Sequence, residues 1–138
     1  MKRILGLDLG SVTCGVSVSD LLGMIASPVE TIRFENENYD ECLEKLKKHI
    51  DTYKVETVVL GLPKHMNGDV GIRANASLLF KEKLENIGLT VELWDERLTT
   101  VSAERFLLEA DMSRKKRKKI IDQMAAVTIL QDYLNSKN

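Results

Sequence analysis

The first residues alternate little: Ile4-Leu5-Gly6-Leu7-Asp8-Leu9 is an apolar run carrying one acid and closed by Gly10-Ser11, the pattern of a buried strand. Gly15-Val16-Ser17-Val18-Ser19 alternates apolar and small polar residues as a second strand, and Asp20-Leu21-Leu22-Gly23 forms a turn into residues 24–34, again extended. Three successive strands predict an antiparallel meander. In residues 38–53 Tyr39, Cys42, Leu43, Leu46, His49 and Ile50 recur at helical spacing among Glu and Lys, as in a surface helix with one buried stripe. Residues 55–60 read as a strand, 61–68 as a loop by their Gly and Pro, 70–87 as a helix closed by Gly88, and 90–96 as a fifth strand. Thr99 and Thr100 supply caps for a short helix to about Ala110, and Ser113 caps a last helix to about Leu134. The order βββ-α-β-α-β-α-α predicts an α/β fold: a mixed five-stranded sheet, its first three strands antiparallel, with helices on its faces. No repeat or linker interrupts it, so residues 1–138 are expected to form one domain.

Composition narrows the class. The 138 residues are 43% hydrophobic and 30% charged, which excludes collagenous and extensively disordered chains and allows a sizeable core without disulfides or structural zinc. Cys14 and Cys42 have no metal-type spacing with each other or with His49 and His65, and are expected to be small core residues of a reducing compartment. No apolar stretch reaches ~18 residues, and Asp8 interrupts the N-terminus before a signal-type apolar region could be completed, so a cytoplasmic protein with no membrane partner is expected. The net charge is −1, but it is segregated: residues 97–119 carry an excess of five positive charges. Such a chain can present a basic footprint to nucleic acid despite a pI of about 6.1.

Three acids stand out. Asp8 occupies a strand otherwise built of Ile, Leu and Gly, where an unpaired carboxylate costs several kcal/mol; either it caps the Gly10-Ser11 turn or something else pairs with it. Asp122 shares one helical stripe with Ala126, Ile129 and Tyr133, with Ala125 beside it, so it either faces the core or pairs at the stripe edge with Lys118 or Lys119. The small alanines would let that helix approach the sheet closely. In the fifth strand, alternation puts Glu92, Trp94 and Glu96 on one face and Leu93 and Asp95 on the other, and either Asp95 or Glu96 can point to a site. Carboxylates converging from these segments repel unless a divalent cation neutralises them, and oxygen ligands favour Mg²⁺ or Mn²⁺ over zinc. Two such ions can drive an in-line phosphodiester displacement. The run Arg114-Lys115-Lys116-Arg117-Lys118-Lys119 lies just before Asp122, where cations oppose the helix dipole and repel one another; it is either a solvated face or a phosphate-backbone contact. Asp8-Leu9-Gly10-Ser11 is also similar to the Asp-x-Gly phosphate loop of actin-like ATPases, but those need two domains around a cleft.

Taken together, Gly6-Leu7-Asp8-Leu9-Gly10, Gly15-Val16-Ser17-Val18-Ser19-Asp20, Gly61-Leu62-Pro63, Asn67-Gly68, Asp95-Glu96-Arg97-Leu98-Thr99-Thr100, Ile121-Asp122-Gln123-Met124-Ala125-Ala126 and Ile129-Leu130-Gln131 resemble the YqgF/RuvX family over nearly the whole chain. The resemblance implies a ribonuclease H-like fold with helices on both faces of the sheet, related to Holliday junction resolvases. It implies a metal-dependent nuclease maturing the 5′ end of pre-16S ribosomal RNA. By position it assigns the catalytic and metal-binding acids to Asp8, Glu96 and Asp122, choosing Glu96 over Asp95, with Mg²⁺ or Mn²⁺ as cofactor and two ions once substrate is bound. Where the family often has a basic residue or two, this chain has Val12-Thr13-Cys14. Phosphate binding is therefore expected from Lys64, Arg73, Arg97, Arg114, Lys115, Lys116, Arg117, Lys118 and Lys119. Structured RNA is the expected partner of a monomer or homodimer. The alternatives are a resolvase of branched DNA and a non-catalytic RNA-binding factor in ribosome assembly.

Overall fold

The computed structural model describes the backbone of residues 3–62, 68–95 and 114–137, and the side chains of residues 3–62, 75–94 and 124–137. Five strands form one sheet: β1 (Ile4–Leu9), β2 (Thr13–Ser19), β3 (Ala26–Arg33), β4 (Thr57–Leu62) and β5 (Thr90–Asp95). Their order is β3-β2-β1-β4-β5. The meander β1-β2-β3 is antiparallel, while β4 pairs parallel with β1, and β5 parallel with β4. Each parallel connection contains a helix, α1 (Tyr39–Tyr53) between β3 and β4 and α2 (Gly68–Asn86) between β4 and β5. A final helix, α3 (Arg114–Lys137), ends the described chain.

Period-2 alternation divides the side chains between two cores. Leu5, Leu7 and Leu9 of β1, Cys14, Val16 and Val18 of β2, Ile32 of β3 and Val58 and Leu60 of β4 pack against Cys42, Leu43 and Leu46 of α1 and Phe80 and Leu84 of α2. The opposite face is thinner. There Ile4, Ala26, Val59 and Trp94 of the sheet meet Ile129, Leu130, Tyr133 and Leu134 of α3. Helices thus cover both faces, as expected for the mixed sheet.

Local chemistry accounts for the element ends. The Asn38 side chain accepts from Glu41 N at 3.1 Å, and Asp40 and Glu41 occupy the favourable first turn of α1. Gly88, at φ 96°, lets the chain leave α2 through a left-handed residue. Asp20 Oδ1 accepts from Met24 N at 2.7 Å and Ile25 N at 3.1 Å, fixing the β2–β3 turn. Several boundaries differ from the sequence pattern. β2 begins at Thr13, because Cys14 and Thr13 already pair with Leu9 and Arg33. β4 continues through Gly61 and Leu62, which pair with Trp94 and Asp95, although Gly61 reads as loop by composition. α3 runs three residues beyond Leu134. The short helix expected before Ala110, and its caps, lie outside the described residues.

Phe80 is fully buried at the centre of the α1/α2-side core. Phe80→Ala is expected to lower the unfolding free energy by about 3–5 kcal/mol, measured by urea denaturation.

Candidate active site

Asp8 is the only acid of β1, at the C-terminal part of the central strand, and is half-buried. It shares the parity of Ile4 and Gly6 and so belongs to the α3 face. Its partner on β2 is Gly15. On β4, Gly61 follows Leu60, the partner of Leu7. The positions flanking Asp8 on both neighbouring strands are therefore glycines. In open α/β sheets, ligands bind beyond the carboxyl ends of parallel strands. Those ends of β1, β4 and β5 lie together here.

The helix reaches this sheet end by close packing. The Ser17 hydroxyl, opposite Gly6 in the ladder, donates to Ala126 O at 2.7 Å. Gln131 bridges to the other end of the sheet, its Oε1 accepting from Ala26 N at 2.9 Å and its Nε2 donating to Met24 O at 2.9 Å. Ala26 pairs with Ser19, whose hydroxyl accepts from Ile4 N. Running backwards from Gln131 to Ala126, the helix thus moves from the Ile4 level to the Gly6 level, antiparallel to β1. Position 122 lies a further four residues back, ~6 Å along the helix. Asp8 lies two residues beyond Gly6, ~7 Å along the strand. The backbone of Asp122 therefore comes level with Asp8. In α3, Ala126 and Ile129 are fully buried and Tyr133 nearly so, as its stripe predicts. The Asp122 side chain lies outside the described residues.

A second clamp joins α3 to β5. The Tyr133 ring meets Trp94 edge-on at 5.9 Å between centroids, and the Glu92 carboxylate acts on its phenol. Glu92 and Trp94 thus face α3, on the strand that leads into Glu96. Glu96 itself, with Arg97 and Lys64, lies outside the described residues, as do the side chains of Arg73 in α2 and of Arg114 through Lys119 in α3.

The donor chemistry at Asp8 is that of a hard oxygen ligand. The nearest sulfur groups are held away from that role: Cys14 and Cys42 are fully buried on the α1 side of the sheet. Hydrogen bonding to Cys42, then burial, then the charges of Cys42 and Asp8 push the Cys14 thiol well above its ordinary value, keeping it protonated. Among the described residues, no three His, Cys, Asp or Glu side chains group closely enough to hold a metal ion, and Asp8 is the one member of the expected carboxylate set whose side chain is described. The position of Cys14 also explains one departure from the expected motif. A buried residue at 14 cannot touch a phosphate, whereas Val12, 43% exposed, borders the sheet end that carries Asp8.

A model of the family described as "RuvX: Holliday junction resolvase" matches residues 2–136. The chain belongs to the RuvX family. A relative from Geobacillus sp. (strain WCH70), named "Putative pre-16S rRNA nuclease", is 57% identical over 136 residues, covering 98% of this chain and 99% of that protein. One of the same name from Lactococcus lactis subsp. lactis (strain IL1403) is 58% identical over 135 residues, covering 97% and 94%. Among solved structures, Thermus thermophilus RuvC in complex with a Holliday junction substrate superposes with a TM-score of 0.62 at 12% identity, covering 99% of this chain and 96% of that one. The fowlpox virus resolvase bound to Holliday junction DNA gives 0.58 at 11%, covering 98% of each. The fold of this RuvX-family chain is therefore the ribonuclease H-like fold of those resolvases. Within the family match, Gly6, Ser17 and Gly61 are packing and spacing residues around Asp8 whose contacts the motif reading missed. The signal was present as small residues at one parity, Gly15, Ser17 and Ser19, opposite Ala125 and Ala126.

Two measurements test these environments. Burial, helped by Glu92, pushes the Tyr133 phenol up to about 12, so the folded state holds this proton more tightly than the unfolded chain, whose phenol titrates near 10. The corresponding stabilisation is complete below pH 10 and declines as pH rises from 10 towards 12. Difference titration at 295 nm is expected to lose its highest-pKa component in Tyr133→Phe, whose stability falls less steeply over that window. Cys14 is expected to resist alkylation by iodoacetamide at pH 8 in the native protein and to react once guanidinium unfolds it.

Proposed function

We propose that this chain is a divalent-metal-dependent phosphodiester nuclease that matures the 5′ end of pre-16S ribosomal RNA in the cytoplasm, residues 1–138 acting as one nuclease domain. The observation that carries the reading is the half-buried Asp8 at the carboxyl end of the central strand, flanked by Gly15 and Gly61, with α3 running back to bring position 122 level with it. The names of the relatives from Geobacillus and Lactococcus support the RNA substrate.

Asp8, Glu96 and Asp122 are the proposed ligands and catalytic acids. The hard oxygen of Asp8, with the protonated Cys14 thiol buried on the opposite face of the sheet, suits Mg²⁺ or Mn²⁺. Such ions, two when substrate is bound, would supply charge neutralisation, an acidified water and stabilisation of the leaving oxygen. The chain's own work is orientation. β1 holds Asp8 rigidly within the sheet, and α3 holds Asp122 through its contacts at Gly6 and Ser17. Tyr133 ties α3 to β5, in which Glu92 and Trp94 stand four and two positions before Glu96. Arg114, Lys115, Lys116, Arg117, Lys118 and Lys119 open the same helix that carries Asp122, so a phosphate backbone bound there would lie at its start and relieve their mutual repulsion. Lys64, Arg73 and Arg97 are proposed to extend this phosphate contact.

A second reading, resolution of branched DNA, is favoured by the description of the matching family model. Cleavage of end-labelled precursor ribosomal RNA and of a four-way DNA junction, with Mg²⁺, Mn²⁺ or EDTA, separates the two. The expected result is RNA cleavage that EDTA abolishes and that Asp8→Asn reduces at least about a thousandfold without lowering the melting temperature. Symmetric cutting of the junction alone would favour the resolvase. Full activity in Asp8→Asn would overturn the site, and salt-sensitive RNA binding without cleavage would leave an assembly factor.

A further inference from the structure

The contact between Gly6, Ser17 and Ala126 is tighter than core packing alone requires. A Cβ at position 6 would stand 2.5 Å from Ser17 Oγ, 2.7 Å from Leu130 Cβ and 3.0 Å from Ala126 O. Real Cβ atoms do not approach so closely, and two of these neighbours belong to α3, so any larger residue at 6 must lift the helix from the sheet. Ser17 is fully buried. Its single hydroxyl proton goes to Ala126 O at 2.7 Å rather than to Gly6 O at 3.4 Å. Ala126 lies well inside the helix, where its carbonyl already has an intrahelical amide partner. The bond is therefore not needed to satisfy the helix. What it does is hold the helix at one axial position and one height over β2.

That height and that position are what matter two residues further along β1 and one turn earlier in α3. We propose that Gly6 and Ser17 are positioning residues that set the separation between Asp8 and Asp122, Gly6 fixing how closely α3 approaches and Ser17 fixing where along its axis it sits. The inference rests on the proposed nuclease site. A divalent cation bound between carboxylates from two elements tolerates little change in their spacing, because its ligand distances are confined to a few tenths of an ångström. Loss of the Ser17 hydroxyl, bonded to α3 four residues from Asp122, would then act through geometry alone.

The test measures Mn²⁺ binding by calorimetry, without substrate, in the wild type, Asp8→Asn, Ser17→Ala and Ile32→Val, together with melting temperatures and cleavage across a range of Mn²⁺ concentrations. Ile32 is buried in the opposite core, so Ile32→Val is a stability control that leaves the Gly6, Ser17 and Ala126 contact intact. Ser17→Ala, which removes only the hydroxyl, is expected to weaken Mn²⁺ binding about tenfold, as loss of an outer-shell support does, and to raise the Mn²⁺ concentration for half-maximal cleavage in parallel. Ile32→Val is expected to change neither. Gly6→Ala, where it folds, is expected to lose binding more completely than Ser17→Ala. Should Asp8→Asn weaken Mn²⁺ binding while Ser17→Ala binds as the wild type does, the positioning role is overturned and the site stands. Should Asp8→Asn bind as the wild type does, the metal-site reading fails and the inference falls with it. An equal loss of Mn²⁺ binding in Ile32→Val would also overturn the positioning role, by tracing the effect to stability.

Discussion

The approach of α3 to the sheet over Gly6 is the contact on which the rest of this structure depends. Elsewhere helices meet the sheet through Leu, Val and Phe side chains; here a glycine, a serine hydroxyl and a helix carbonyl are in contact. Such proximity excludes water and leaves no slack, since interiors are close-packed and a single added carbon is felt. It also explains why β2 alternates valine with glycine and serine rather than with larger polar residues. Ser17 and Ser19 are both buried, and each hydroxyl is used, one on Ala126 and one on Ile4. Both serine hydroxyls thus have the partner their desolvation demands, whereas the buried Thr31 Oγ1 has none among the described residues.

Topology supplies the second constraint. A pure meander would scatter strand ends on alternate sides, but the parallel strands β1, β4 and β5 bring three carboxyl ends to one edge, and α3 runs antiparallel to β1 so that its beginning arrives there too. The first strand, the fifth strand and the last helix are far apart along the chain, and this arrangement brings the ends of the two strands and the level of position 122 to one edge of the sheet. The basic run at the start of α3 arrives at that edge by the same route. Repulsive carboxylates and an unfavourable block of cations at a helix N-terminus are each destabilising in isolation. In the proposed site, a polyanion and the cations that accompany it would offset both.

Much of this was legible beforehand. Gly6-Leu7-Asp8-Leu9 announces a buried strand with an unexplained acid, and the Ala126, Ile129, Tyr133 stripe announces the face of α3; both are one-dimensional patterns that period alone reveals. The strand at Gly61 was not legible, because its pairing with Trp94 is a non-local contact that overrides a loop-like composition. Nor was the role of Ser17, which looks like any small residue on an alternating strand until the helix carbonyl appears above it. The choice between Asp95 and Glu96 is of a third kind. Alternation separates their faces but does not say which face the helix covers, and Glu92 and Trp94 against Tyr133 supply that information for the strand before them.

The two faces of the sheet divide the labour between stability and geometry. The α1/α2 side holds the large side chains, Phe80, Leu46, Leu60 and Leu84 among them, and supplies most of the apolar burial that opposes chain entropy. The α3 side buries Ile129, Leu130 and Leu134 too, but adds a few directional bonds, Ser17 to Ala126 and Gln131 to Ala26 and Met24. Hydrophobic burial is non-directional and tolerates repacking, whereas a hydrogen bond between buried groups has one good geometry. If this face holds the proposed acids at a set spacing, bonds that specify position serve it even where they add little to stability. It follows that sequence drift on the α1/α2 side should be limited mainly by volume, and on the α3 side by the identity of a few small and polar residues.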